Sequence, residues 1–160
     1  MKLQFLCANH RSQLENNVTK AIQFWQSEFD TGQFYLDPML WHDAVPHLGC
    51  AFETAEILLS NKMIESEVAC QWFSQSSILL ASTFNNLRYS SEAEEINWMA
   101  INRLEKELAQ NGYKNQWIKS YLQEQYLNLD KLLTSTEGSS QSPAKLEALG
   151  LIHWVVVNQP

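Results

Sequence analysis

His42, His47, Cys50 and Glu53 are residue types that ligate transition metals or carry protons, and they stand within one stretch of twelve positions. They belong to residues 37–61, where Leu40, Ala44, Leu48, Ala51, Phe52, Ala55 and Leu59 recur at three- and four-residue steps. That period lays one apolar stripe along a helix. His42, Gly49, Glu53 and Glu56 then point roughly to the opposite face, and His47 and Cys50 lie toward the stripe's edge. A metal needs three or four converging ligands, usually from more than one element, and neither a Cys-x-x-Cys pair nor a His-Glu-x-x-His run is present. Solvated polar side chains are the plainer reading, so no metal and no cofactor is assigned. Asp43, Glu53 and Glu56 would serve as general acids only in a setting that raises a carboxyl pKa, and the sequence indicates none. No nucleophile elbow places a Ser or Cys beside a His, and the five glycines are isolated, without a phosphate-cradling loop. No catalytic residue is assigned.

The elements that would position these groups are helices. Asp37 can cap the central helix and Pro38 suits its first position, while Pro46 reads as a kink because the stripe keeps its phase from Ala44 to Leu48. Before it, Ser12 and Glu15 have capping-box spacing, and Leu14, Val18, Ala21, Ile22, Trp25 and Phe29 predict a first helix ending before Gly32. Ser66 can cap a third helix bearing Ala69, Trp72, Phe73, Leu80 and Leu87, with a second, small-residue stripe of Cys70, Ser74, Ser77 and Ala81 that suits close helix packing. Ser91 and Glu94 open a fourth helix that Gly112 ends, and Asn115 caps a fifth carrying Ile118, Tyr121, Leu122, Leu129 and Leu132. Short links make neighbours antiparallel, which predicts an all-α antiparallel array or bundle of about five helices. Residues 134–142 read as a flexible linker and 143–160 as a docked tail, within a single domain of 1–160. The tail's apolar run 151–157 could pair as a short β element with residues 2–7 or dock irregularly in a groove of the domain.

A formal charge of −7 and scattered Lys and Arg disfavour nucleic acid, and no segment has the ~20 apolar residues that span a bilayer. The odd count of three cysteines argues for reduced thiols, and with no signal-peptide pattern the expectation is a cytoplasmic protein. Homodimerisation is compatible with the sequence, which specifies no symmetry.

Gly32, Phe34, Trp41 and Ala44, and again Leu48, Gly49 and Phe52, have a spacing that resembles fragments of tetratricopeptide repeats over about residues 20–60. The resemblance implies a helical-repeat module whose concave groove holds peptides or partner proteins. Six tryptophans are distributed one to each main helix and one to the tail; Trp98 and Trp117 are the least in phase with the inner stripes and are the expected partner-binding anchors. The function these features favour is a protein- or peptide-binding adaptor or chaperone-like module, with no turnover. The alternative is a small helical enzyme or metal-binding protein that uses His42, His47, Cys50 or Glu53.

Overall fold

A single extended residue divides the first expected helix in two. In the computed structural model, which describes residues 3–135, α1 (Ala8–Glu15) ends at Asn16, and Asn17 (φ −146°, ψ 99°) precedes α2 (Val18–Leu36). The Asn17 side chain accepts the Lys20 N–H at 3.0 Å, so α2 has its own N-cap. Ser12 lies inside α1, whose cap is the Cys7 sulfur, 3.4 Å from the His10 nitrogen. There follow α3 (Trp41–Ser60), α4 (Ser66–Asn86), α5 (Ser90–Asn111) and α6 (Gln116–Ser135), which makes six helices among the described residues where about five were expected.

The links explain where other boundaries moved. Met39, Lys62 and Arg88 take positive φ (61°, 51° and 67°) after α2, α3 and α4. In each link the positive-φ residue's N–H bonds three residues back and the next N–H bonds five back: Met39 to Leu36 and Leu40 to Tyr35, Lys62 to Leu59 and Met63 to Leu58, Arg88 to Asn85 and Tyr89 to Phe84. This is the Schellman closure, here built three times without glycine. Asp37 therefore closes α2 and Pro38 falls in the turn, so α3 starts at Trp41; Pro46 lies inside α3 without ending it. Ser66 and Ser91 likewise lie within their helices, after Glu65 and Tyr89 at the cap positions.

Each helix packs on the next in sequence, α4 also packs on α6, and α1 on both α2 and α3. Across the stack, the Trp25 ring of α2 lies flat on Trp72 of α4 at 4.1 Å and its Nε1 donates to Ser76 Oγ at 3.0 Å, while Arg103 of α5 donates to Ser60 of α3 at 3.1 Å. The result is two layers, α2, α4 and α6 in one and α1, α3 and α5 in the other. α3 is central, as its stripe predicts: Leu48, Phe52, Ala55 and Leu59 are buried, and Phe52 stacks on Phe73 of α4 at 5.2 Å. Gly32 is not a helix end but a crossing point inside α2, where a Cβ would sit 2.6 Å from Leu48 Cδ2.

No strand occurs among the described residues. Of residues 2–7, expected as one partner of a terminal β pair, the described 3–7 instead run over α3, and Phe5 and Leu6 give their amides to a carboxylate. Thr134 and Ser135 belong to α6; the remaining linker and the tail lie outside the described residues.

Candidate functional site

Glu53 is the most constrained polar group of the central helix. Only 5% exposed, it accepts the N–H of Phe5 at 2.9 Å through one oxygen and that of Leu6 at 2.8 Å through the other, and Arg11 of α1 lies 3.5 Å away. Phe5 packs its ring over Gly49, where any Cβ would overlap it, and Leu6 is buried. A carboxylate that holds two successive main-chain amides recognises an extended backbone whatever its sequence, while Gly49 makes room for the aromatic side chain. Beside this clamp is a cavity of ≈ 260 Å³ lined by Leu3, Gln4, Arg11, Glu53, Glu56 and Met99.

The other members of the expected cluster go elsewhere. His42 is exposed and edges Tyr89; His47 places Nδ1 2.8 Å from Glu28 Oε2 and stacks on Tyr35; the Cys50 sulfur lies 3.9 Å from the Phe5 carbonyl. Burial, then Glu28 and Glu53, push the Cys50 thiol up to about 11, away from thiolate chemistry at neutral pH. No three His, Cys, Asp or Glu side chains converge as a metal-ligand set among the described residues.

A second cavity, also ≈ 260 Å³, opens across the α2, α4 and α6 layer. Phe29, Ile78 and Leu79 make its apolar surface, and Gln33, Gln75 and Glu124 its polar one. Leu127, 56% exposed, is one turn beyond Glu124, and Phe34, 69% exposed, follows Gln33. Neither Trp98 nor Trp117 lines it. Both are half-buried against the core, Trp98 with its indole N–H 3.3 Å from Glu94. They are also apart: Asn128 donates to Asn97 at 3.0 Å, which sets Trp98 level with that part of α6, and Trp117 is eleven residues, roughly 16 Å, along the helix.

The small stripe of α4 is spent on packing against α6. Gln125 Nε2 lies 2.6 Å from Ser77 Oγ, 3.0 Å from Ser74 Oγ and 3.2 Å from the Ser74 carbonyl, all buried; its own Oε1, and Asn97 Nδ2, lack a partner among the described residues. At the far end of α5, buried Glu107 accepts from Asn111 at 2.8 Å and faces Arg103 Nη1 at 3.1 Å, an ion pair whose alignment leaves those two facing atoms without a hydrogen bond. Cys70 sits nearby, its thiol pushed up to about 12 by burial and then by Glu107. Gln125 thus fastens α6 to α4, and the Asn128 bond to Asn97 fastens it to α5.

No family model, curated protein or solved structure matches the chain. Among the described residues no helix is long and apolar enough to cross a membrane. Sequence reasoning weighed Glu53 as a ligand, a general acid or a solvated charge and did not find its main-chain partners, since nothing local to it announces amides 47 and 48 positions away. It passed over Gln33, Gln75 and Glu124 because they flank the stripes that define the core and look like ordinary solvated positions.

Proposed function

We propose that this protein is a peptide-binding adaptor or chaperone-like module that receives an extended segment of a partner protein across α2, α4 and α6. The observation that carries the reading is the open cavity spanning those three helices, with an apolar surface of Phe29, Ile78 and Leu79 beside Gln33, Gln75 and Glu124. Side-chain amides and a carboxylate next to apolar side chains suit a peptide that buries one or two apolar residues and offers main-chain groups for hydrogen bonding. Of the six lining residues only Glu124 is charged, so the groove carries a negative charge. Together with the charge of −7, that favours a segment carrying Lys or Arg. The resemblance to tetratricopeptide repeats supports the same use of a groove, and the three like-built links supply a regular helical array.

The metal-binding form of the alternative lacks a convergent ligand set among the described residues. The test is capture of binding partners by the purified full chain, followed by affinity measurement on the captured segment. Leu79→Glu should weaken binding at least ~10-fold, about 1.4 kcal/mol, in protein that circular dichroism shows to remain helical. Trp98→Ala and Trp117→Ala serve as the second arm: a loss there with Leu79→Glu silent would move the site to the aromatic positions of α5 and α6. No partner at micromolar concentration would overturn the adaptor reading.

A further inference from the structure

The arm comprising residues 3–7 and α1 is tethered to the body through two residues, Asn16 and Asn17, of which only Asn17 is extended, and its sequence encodes a different path. Leu14, Val18, Ala21, Ile22 and Trp25 keep helical phase straight through the break at Asn17. In the structure the break wastes part of that pattern: Leu14 is fully buried against the body, but Val18 is 39% exposed. Asn16 is already near helical geometry (φ −97°, ψ −1°), so moving Asn17 alone into the helical region would join α1 and α2 into one helix from Ala8 to Leu36. The amides of Val18 and Thr19, which open α2 with no carbonyl four residues back, would then find Leu14 and Glu15. What favours the bent form is the Asn17 cap on Lys20, the buried Leu6 and Leu14, and the Glu53 clamp on Phe5 and Leu6.

Straightening the junction carries the arm off α3 and leaves the Glu53 and Gly49 groove open. We propose that a second copy of this chain fills it: two molecules straighten at Asn17 and exchange arms, each arm docking in the other's groove. Every arm contact is recovered in the pair, because the occupant is chemically identical to the one lost. Two junctions gain helical hydrogen bonds, and Val18, now mid-helix, lies beside the crossing. The exchange is low-cost in this architecture since the hinge is one residue and the docked segment is short. It concerns the layer opposite the α2, α4 and α6 groove and does not depend on the adaptor reading.

Two substitutions at the hinge pull in opposite directions. Asn17→Ala removes the cap of the bent form and adds helix propensity, while Val18→Pro favours it, because proline suits the first helical position and holds the preceding residue extended. By sedimentation velocity on the full chain, Asn17→Ala should dimerise roughly 25-fold more tightly than the unsubstituted protein, from about 5-fold for each of two lost caps. Adding Val18→Pro should return it to monomer. In the Asn17→Ala background, Leu6→Asp (defective arm) and Gly49→Leu (blocked groove) should each be monomeric alone. Mixed, they should form a heterodimer with one exchanged arm, a complementation that a dimer through any other surface would not need. Circular dichroism on each variant checks that the helical content survives, and Val18→Pro, which preserves the bent fold, keeps the comparison interpretable if either arm variant unfolds. An Asn17→Ala protein that stays monomeric at millimolar concentration, or a dimer that persists with Val18→Pro, overturns the exchange.

Discussion

The two layers of the molecule each carry a cavity of the same size, ≈ 260 Å³, yet they are used differently. On the α1, α3 and α5 side the chain's own arm forms one wall of the cavity through Leu3, Gln4 and Arg11, and beside it the amides of Phe5 and Leu6 meet a buried carboxylate. On the α2, α4 and α6 side the groove is open and its carboxylate, Glu124, is exposed. Burial decides the worth of a charged acceptor: Glu53 is withdrawn from water and fully engaged, so its bonds count, whereas Glu124 keeps its hydration until something arrives.

The largest effect should therefore come from Glu53→Ala. It strands the Phe5 and Leu6 amides and releases Arg11, and two charge-assisted bonds at ~1.5 kcal/mol each make a loss of about 3 kcal/mol. Glu124→Ala should change stability by less than ~0.5 kcal/mol. Urea denaturation of the two variants measures both, and equal losses would break the contrast between the layers.

A smaller effect is expected where the layers meet. A Cβ at Gly32 lies 2.6 Å from Leu48 Cδ2 and 2.7 Å from its Cγ, and Leu48 is fully buried, so the two side chains must give way inside the core. Gly32→Ala should lose ~1–3 kcal/mol to overpacking and regain up to ~1 kcal/mol of helix propensity, for a net destabilisation near 1 kcal/mol. A net gain in denaturation midpoint would show that the α2 and α3 contact is slack.

How much of this was legible beforehand follows from which signals are local. The apolar stripes are periodic over many residues, so the all-helical class, the central placement of α3 and the close packing of Cys70, Ser74, Ser77 and Ala81 could be read directly. Gly112, at φ 86°, ends α5 where a glycine was expected to. Boundaries failed where glycine was absent: Met39, Lys62 and Arg88 adopt left-handed backbone that their side chains do not advertise, so Asp37, Ser66 and Ser91 looked like caps. Asn17 was missed because the stripe passes through it in phase, and a cap is a weaker signal than a stripe. The site was less legible than the fold, since Glu53 owes its role to residues 47 and 48 positions away.

The subtlest difference between the layers is reported by thiols. Cys50 lies under the arm, with its sulfur 3.9 Å from the Phe5 carbonyl; Cys70 lies between α4 and α5 beside Glu107, where the arm does not reach. Both are pushed up, to about 11 and about 12, each chiefly by burial. For such acids the folded pKa exceeds the unfolded value near 9.0, so the folded state holds more protons between the two values. Their contribution to stability is whole below about pH 9 and declines as pH rises from there toward the folded pKa, by about 1.4 kcal/mol at pH 10 for the fully buried Cys70 and by less for the half-buried, solvent-screened Cys50. Cys70→Ala should flatten the fall of melting temperature above pH 9. At pH 8, displacing the arm should act on Cys50 alone: Glu53→Ala uncovers it and removes a neighbouring negative charge, and a pKa drop of one unit raises the thiolate fraction ~10-fold. Alkylation followed by peptide mass mapping should show Cys50 accelerated and Cys70 unchanged. If both accelerate together, the variant has loosened the whole stack, and the arm is not an independent occupant of its groove.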